Sequence, residues 1–169
     1  MTRLKSSVLA ALVVAFLAGI QLFPSPGAVA GDAPSADDTE IRAVVGSHFQ
    51  GVIKGDATLL EKAWDVRSGH LKSISVDDAG KESVTVDPVD VAIQRWTKSG
   101  SPGSEGKVIS VAIHGDRMAV VTIEFTWKNG SETQNLNEFL TLFKLNGAWK
   151  IVNKTYVGKS RPANKGGGY

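Results

Sequence analysis

Three side chains of this sequence have the chemistry of a general base. Asp65 and Glu138 carry carboxylates, and His70 carries an imidazole at the start of a predicted strand. A carboxylate that is buried among apolar groups has a raised pKa and can then accept a proton near neutral pH. Each carboxylate also has a structural interpretation, which we favour. Glu138 would pair with Lys154 on the adjacent strand, and Asp65 would lie in solvent near a helix end.

Other catalytic chemistries are not indicated by the sequence. The histidines His48, His70 and His114 are too far apart to form a metal-binding motif, and the chain has no glycine-rich phosphate loop and no Ser-His-Asp set. It also has no cysteine, which excludes disulfides and thiolate chemistry. We therefore expect no metal and no cofactor. His48 lies in an apolar helical stripe, and we expect it to be a hydrogen-bonded core residue.

The charge distribution argues against a nucleic-acid partner. The 169 residues include 19 basic and 17 acidic side chains, and the first 30 residues contain two of the basic ones and none of the acidic ones. The rest of the chain is therefore formally neutral, whereas nucleic-acid-binding domains carry a basic surface. The length fits one domain, and an apolar content of 42% is typical of a globular protein.

The first 30 residues have the order of a secretory signal peptide. Two basic residues precede an apolar run over 8–20, and Ala28 and Ala30 form a small-x-small cleavage site. We expect export to the periplasm or the cell exterior, with no membrane association after cleavage; an uncleaved anchor is the alternative. Residues 31–37 are predicted to be a flexible leader, and residues 158–169 a disordered basic tail, because neither segment can bury enough apolar surface.

The region between these segments is predicted to begin with two amphipathic helices. Apolar side chains recur at helical spacing over 41–53 after a cap at Asp38 or Thr39, and Asp56 caps a second helix that ends at Trp64. A hairpin, a short third helix and a Gly/Ser/Pro-rich loop follow, and we expect that loop to be mobile. The predicted hairpin strands span 70–76 and 83–86, the third helix follows Pro88, and the loop spans 99–106.

Four strands joined by tight turns are predicted in the C-terminal half. They are rich in Val, Ile, Thr, Phe and Trp, and the pairs Asn129-Gly130 and Asn146-Gly147 favour hairpin turns because both residue types tolerate positive φ. The result is an antiparallel meander. Two of its strands are apolar on both faces, so we expect both faces to be covered. The predicted strands span 107–113, 118–127, 132–145 and 149–157.

The element order and two motifs resemble the nuclear transport factor 2-like superfamily, which includes SnoaL-like proteins. The segment 139–156 is similar to the closing hairpin of its lumazine-binding branch, with the sequence FLTLFKLNGAWKIVNKTY, and 51–56 is similar to the end of that branch's first helix. The resemblance covers 37–157. It implies an α+β fold over 38–157, in which a cone-shaped, curved antiparallel sheet packs on N-terminal helices, as in cystatin-like folds.

The resemblance also implies a ligand cavity between the helices and the concave face of the sheet. The chain departs from the branch at 65–67, which replaces a His-Pro-Asp-like stretch, and at Phe49, which replaces a tyrosine. Alternation with Trp149 and Ile151 predicts that Asn153 also faces inward. The candidate ligand-binding residues are Trp64, Trp96, Trp127, Asn153 and Tyr156, and the candidate catalytic residues are Asp65, Glu138 and His70.

Three functions are compatible with the sequence, because a fold alone does not assign chemistry. We favour a non-catalytic domain that binds a small hydrophobic or aromatic ligand and forms a homodimer through the sheet, since the second apolar face would otherwise be exposed. An isomerase or dehydratase would instead need an unpaired buried carboxylate or histidine in the cavity. A protein-interaction domain would need an apolar patch away from the mouth of the cone.

Overall fold

The computed structural model describes residues 34–157 with the exception of Asp77 and Asp78. The predicted signal peptide, the first residues of the predicted leader and the predicted C-terminal tail lie outside the described residues. In the described part, three helices pack on one face of a six-stranded, curved sheet that does not close into a barrel. None of the described helices is both long and apolar enough to cross a bilayer.

The two N-terminal helices follow the predicted caps and stripes closely. Helix α1 (Ala36–Lys54) buries Ile41, Val45 and Phe49 along one side and ends at Gly55, whose φ of 67° is the left-handed conformation that glycine adopts freely. Helix α2 (Ala57–Ala63) is capped by Asp56, whose carboxylate accepts a hydrogen bond from Leu59 N. Helix α3 (Val89–Ser99) begins directly after Pro88, as predicted.

Helix α1 begins earlier than predicted. Its N-cap is Ser35, which accepts a hydrogen bond from Asp38 N, so residues 36 and 37 belong to the first helical turn and not to a leader. Asp37 Oδ1 accepts hydrogen bonds from Lys144 Nζ at 2.6 Å and from Trp149 Nε1 at 2.9 Å. These bonds, the one from Lys144 first, lower the pKa of Asp37. They hold the start of the helix against a hairpin more than 100 residues away in sequence.

The sheet combines an N-terminal hairpin with the predicted meander. Strand β1 (His70–Val76) pairs with the last strand of the meander in parallel, and all other strand pairs are antiparallel. In the last turn, Asn146 and Gly147 have φ values of 51° and 83°, as the Asn-Gly signal predicts. The strands lie in the order β2-β1-β6-β5-β4-β3 and span β1 (His70–Val76), β2 (Glu82–Pro88), β3 (Glu105–His114), β4 (Met118–Asn129), β5 (Glu132–Leu145) and β6 (Ala148–Tyr156).

The predicted mobile loop at 99–106 is instead a short, anchored connection. Strand β3 already begins at Glu105, and Ser101 and Ser104 are buried with their hydroxyls 2.6 Å apart. Ser101 Oγ donates to Lys128 O, and Lys128 N donates to Ser104 Oγ. Composition predicts a loop here, but these hydrogen bonds to the end of β4 fix its position.

A β-bulge in β6 changes which residues face the helices. The pairing of β6 with β5 skips Val152, so the alternation of inward and outward side chains is reversed beyond it. Ile151 faces inward before the bulge, and Lys154 faces inward after it. Asn153 is half-buried and donates to Thr155 Oγ1 at 3.0 Å. The prediction that Asn153 continues the inward face is therefore wrong.

The core fills the space between the helices and the concave face of the sheet. Two glycines permit close packing there: a Cβ on Gly51 would lie 2.6 Å from Leu60 Cγ, and one on Gly106 would lie 2.4 Å from the ring of Phe49. Both positions exclude a side chain. The largest fully buried apolar side chains are Trp64, Ile41, Leu60, Ile123, Leu140, Leu142, Ile151, Val45, Val89 and Val121.

The convex face of the sheet is not covered by any described residue. Phe139 is 52% exposed and Phe143 is 40% exposed on β5, and Met118 is exposed beside them on β4. The helices cover one sheet face only. The apolar residues that suggested a second covered face are present, and they form an open patch.

Candidate functional site

A cavity lies in the cone between α1, α3 and the concave face of the sheet. Its volume is about 30 Å³, which accommodates one water molecule. Four aromatic rings, three aliphatic side chains and three charged groups surround it. The lining residues are Val52, Leu71, Arg95, Trp96, Phe125, Trp127, Leu136, Glu138, Lys154 and Tyr156.

The aromatic walls come from three different elements. Trp96 lies on α3, Phe125 and Trp127 alternate on β4, and Tyr156 ends β6. Phe49 of α1 stacks on Phe125 from behind, with ring centroids 5.8 Å apart. Because side chains alternate between the two faces of β4, Phe125 and Trp127 both face the helices. Trp96 lies on the buried side of α3, so its ring meets them at the cavity. The site therefore has rigid, flat walls that are suited to a planar molecule.

An ion pair between Glu138 and Lys154 crosses the base of this site. Lys154 Nζ lies 2.7 Å from Glu138 Oε1, and the two side chains are 9% and 0% exposed. Glu138 is opposite Tyr156 in the sheet, so Lys154, two residues earlier on β6, is its diagonal neighbour on the inward face. The predicted pairing is confirmed. The burial of both partners is a further finding, because the bulge in β6 turns the lysine inward.

The ammonium group of Lys154 is enclosed by rings as well as by the carboxylate. Its Nζ lies 5.6 Å from the centroid of the Trp96 ring and 5.1 Å from that of Tyr156, which are cation–π distances. These two aromatic faces and Glu138 compensate the positive charge of the buried ammonium group.

The carboxylate of Glu138 is left with unused hydrogen-bonding capacity. Lys154 Nζ approaches Oε1 to 2.7 Å, and no other described residue donates a hydrogen bond to either carboxylate oxygen. Buried polar atoms without a partner are rare in folded proteins. An ionised acceptor that faces a cavity in this state has the capacity to accept hydrogen bonds from a molecule in that cavity.

Arg95 forms the boundary between the cavity and solvent. The other nine described lining residues are buried, whereas the side chain of Arg95 is 32% exposed. Its Nη2 donates to Asp87 Oδ2 at 2.8 Å, which links α3 to the end of β2. An exposed salt bridge of this kind contributes little free energy. Arg95 is therefore the lining residue whose movement most easily opens the cavity.

His48 and Trp64 form a separate polar contact behind the cavity wall. Trp64 Nε1 donates to His48 Nδ1 at 3.1 Å, and both side chains are buried. Burial, together with the positive charge of Lys154, lowers the pKa of His48 well below its usual value. The neutral ring therefore carries its proton on Nε2. The prediction that His48 is a hydrogen-bonded core residue is confirmed.

The structure brings together only some of the predicted site residues. Trp96, Trp127, Tyr156 and Glu138 line the cavity, as the resemblance implied. The other four candidates lie elsewhere. Trp64 packs against His48, Asp65 accepts a hydrogen bond from Ser68 Oγ in the turn after α2, His70 Nδ1 contacts Ser68 O, and Asn153 bonds to Thr155.

Sequence reasoning missed Arg95 and did not place Lys154 in the cavity. Arg95 lies one residue before Trp96 and three residues after Ala92. On the surface of α3 it therefore lies at the edge of the buried stripe that contains these two residues. That position could have been read from the helical periodicity. Lys154 could not have been placed from the pattern, because strict alternation from Trp149 puts it outside.

Comparison with known proteins identifies the family. Residues 36–157 match the family model described as "Putative lumazine-binding". No functionally curated protein matches the chain.

Solved structures of nuclear transport factor 2-like proteins of unknown function are similar in fold. One from Shewanella baltica OS155 is 22% identical, with 71% of this chain and 91% of that chain covered and a TM-score of 0.59. One from Methylobacillus flagellatus KT is 18% identical, with coverages of 75% and 95% and a TM-score of 0.57. One from Silicibacter pomeroyi DSS-3 is 20% identical, with coverages of 70% and 92% and a TM-score of 0.55.

The family match covers most of the chain, and the fold agrees with it. The chain belongs to the "Putative lumazine-binding" family, and its fold is that of the nuclear transport factor 2-like proteins.

Proposed function

We propose that this domain binds a small molecule inside the cone and catalyses no reaction on it. The observation that supports the proposal is the buried Glu138–Lys154 pair in an aromatic-lined cavity, with a carboxylate that receives no hydrogen bond from any other described residue. A buried ion pair is a poor means of stabilising a fold, because packed apolar residues of similar volume are often equally or more stable. A ligand that donates a hydrogen bond to the carboxylate would satisfy this buried group, which explains why the pair is kept inside the cone.

Ligand binding requires the cavity to enlarge. A volume of about 30 Å³ holds a water molecule but not a ring. Side-chain rotation at a binding site is common even where the backbone stays fixed. Arg95 is the exposed lining residue, so we propose that a ligand reaches Glu138 by displacing the Arg95 side chain from Asp87.

The geometry does not favour the isomerase or dehydratase alternative. That reaction needs an unpaired carboxylate or histidine in the cavity, whereas Glu138 is paired with Lys154. Asp65 and His70 do not line the cavity. His48 is buried, and its Nδ1 accepts the Trp64 hydrogen bond, so it is not available at the cavity surface. Binding without proton transfer fits all of these placements.

Native mass spectrometry of the purified protein tests the proposal. We expect the wild type to carry or to acquire a small molecule that is absent from the double variant Glu138→Leu/Lys154→Met, which keeps the side-chain volumes but removes both charges. The surface variant Arg117→Met, which alters an 82% exposed side chain, is the control and should behave as wild type. If the wild type bound nothing, and lumazine left its tryptophan fluorescence unchanged, the proposal would be wrong.

A second function, self-association through the convex face, is supported by the exposed apolar patch. Register aligns Thr122, Phe139 and Thr155 in one row across β4, β5 and β6, and Phe143 pairs with Met118 four residues further along β5 on the same face. A two-fold dimer buries the same patch of both copies, so one apolar surface is sufficient for it. We propose a second copy of this chain as the partner of this face.

The oligomeric state in solution tests this second proposal. Size-exclusion chromatography with light scattering should give a dimer for the wild type and a monomer for Phe139→Lys, because a lysine at the centre of the patch would be desolvated. Val84→Lys, at a 70% exposed position on the edge strand β2, is the control and should remain dimeric. A monomeric wild type at micromolar concentration would contradict the proposal.

We further propose that the domain acts outside the cytoplasm. The support is the sequence of the first 30 residues, which has a basic start, an apolar run and a cleavage site after Ala30. Intact-mass measurement of protein from the exported fraction should give a chain that begins at Gly31. A species that retains Met1 would show that the segment is not removed.

A further inference from the structure

Arg95 and Asp87 form an ion pair at the boundary between the cavity and solvent. Arg95 lines the cavity from α3, whereas Asp87 is not a lining residue and lies on β2, directly opposite Leu71 of the cavity wall. The two side chains are 32% and 33% exposed, so both contact solvent. This boundary therefore joins a cation of the cavity wall to a carboxylate from outside the wall.

The charged groups that line the cavity include one more cation than anion. Lys154 and Arg95 are positive, Glu138 is negative, and the other described lining residues are uncharged. Lys154 and Glu138 lie 2.7 Å apart, so their charges compensate each other inside the cavity. The carboxylate that compensates Arg95 comes from Asp87 instead. Separation of Arg95 from Asp87 would therefore leave one uncompensated positive charge at the cavity.

The contact with Asp87 uses only part of the binding capacity of Arg95. A guanidinium group has five N–H donors and can bind both oxygens of a carboxylate at once. The described hydrogen bond joins one nitrogen, Nη2, to one oxygen, Asp87 Oδ2, at 2.8 Å. A partly exposed ion pair of this kind contributes little free energy. Another carboxylate that binds both nitrogens of the fork can therefore replace Asp87.

We infer that the ligand is a small aromatic acid whose carboxylate binds Arg95 in place of Asp87. This inference rests on the proposed function and specifies it, because displacement of Arg95 from Asp87 is the step that opens the cavity. A ligand without a negative charge would leave Arg95 unpaired after this step. A ligand carboxylate restores the pair, while the displaced carboxylate of Asp87 is hydrated by solvent. Asp87 thus competes with the ligand for Arg95.

The remaining lining residues fit the other part of such a ligand. Trp96, Trp127 and Tyr156 offer aromatic faces, which contact a flat ring over a large area. The charge of Glu138 is compensated by Lys154, so it does not oppose an anion at Arg95. The aromatic ring would lie among these faces, with its carboxylate directed to the boundary with solvent.

Two probes of nearly equal shape test the inference with the unaltered protein. Para-hydroxybenzoate and para-hydroxybenzamide have the same ring and hydroxyl group, but only the first carries a negative charge in neutral buffer. Isothermal titration calorimetry should show about ten-fold tighter binding of the benzoate, because a hydrogen bond between two charged groups is about twice as strong as one with a neutral partner. Because the comparison uses one protein, it does not depend on the folding of a variant.

Variants of the two partners should have opposite effects. Asp87→Asn removes the competing carboxylate, so affinity for the benzoate should rise about two- to five-fold, as expected for the loss of an exposed ion pair. Arg95→Met should reduce the preference for the benzoate over the amide to near unity. Asp116→Asn is the control, because it makes the same change at a 90% exposed partner of Arg117, and the affinity should be unchanged.

Three results would overturn the inference: equal binding of both probes by the wild type, binding of neither probe, or an unchanged or lower benzoate affinity in Asp87→Asn. The last result would show that the ion pair supports the site and does not compete with the ligand. The proposed function is decided separately by native mass spectrometry with Glu138→Leu/Lys154→Met, because that test does not involve Arg95 or Asp87.

Discussion

Removal of one partner of the buried ion pair should destabilise the fold far more than removal of both. In Lys154→Met the carboxylate of Glu138, which is 0% exposed, loses the only cation that contacts it among the described residues. Breaking a buried pair in this way costs about 3–5 kcal/mol. For a domain of this size that corresponds to a fall in Tm of roughly 12–20 °C.

The double variant Glu138→Leu/Lys154→Met should differ from wild type by no more than about 1 kcal/mol, because both desolvation penalties disappear together. The assay is urea denaturation followed by circular dichroism, with the two single variants completing the cycle. We expect a coupling free energy of at least about 2 kcal/mol between the two sites.

Additive effects in this cycle would refute the reasoning. They would mean that the two charges act independently and that the buried contact is not a pair. The surface contact between Arg117 and Asp116, with a separation of 3.8 Å and side chains that are 82% and 90% exposed, provides the matched control. Arg117→Met should leave the free energy of unfolding unchanged within error.

Two further predictions concern the fold around the site. Gly51→Ala should destabilise the domain by about 1–3 kcal/mol because its Cβ would clash with Leu60, whereas Gly46→Ala in the same helix should stabilise it by about 0.5–1 kcal/mol because a Cβ there meets no atom within 4 Å; urea denaturation measures both. The lowered pKa of His48 makes its neutral form part of the folded state, so stability should be complete above pH 6.5 and should fall by up to about 1.4 kcal/mol per pH unit below it, until the pKa of the folded state is reached. Denaturation between pH 6.5 and 5 measures this loss.

Two results would contradict these predictions. If Gly46→Ala and Gly51→Ala changed the free energy of unfolding equally, the contact between Gly51 and Leu60 would be less tightly packed than the structure shows. For the histidine, His48→Asn keeps an acceptor for Trp64 but does not titrate, so the acid slope should disappear in it and persist in the exposed control His114→Gln. An unchanged slope in the asparagine variant would assign the acid sensitivity to another group.

Local sequence patterns were sufficient to predict the elements. The stripe over 41–53 and the cap at Asp56 correspond to α1 and α2, because helical periodicity and capping are properties of neighbouring residues. The Asn-Gly pairs correspond to turns of the meander for the same reason. The start of α1 was misplaced because Asp37 is held by Lys144 and Trp149, which are distant in sequence.

The site was only partly predictable, because its key residue depends on an irregularity. Alternation from Trp149 predicts that Asn153 faces the cavity, but the bulge at Val152 turns Lys154 inward instead. One extra residue in a strand moves every later side chain to the opposite face of the sheet. The amino-acid composition of the strand does not indicate where such a bulge lies. Glu138 and Trp127 line the cavity, and their facing could be predicted because the alternation on β4 and β5 is regular in that part of the sheet.

The indole resonances of the four tryptophans test most directly whether the cone is the binding site. In ¹H–¹⁵N spectra recorded during a titration with lumazine, we expect the Nε1–H signals of Trp96 and Trp127 to shift, because both rings line the cavity. The signal of Trp149, whose Nε1 donates to Asp37 away from the cavity, should stay in place. Shifts at Trp149 alone, or no shift at any tryptophan, would show that lumazine does not bind in the cone.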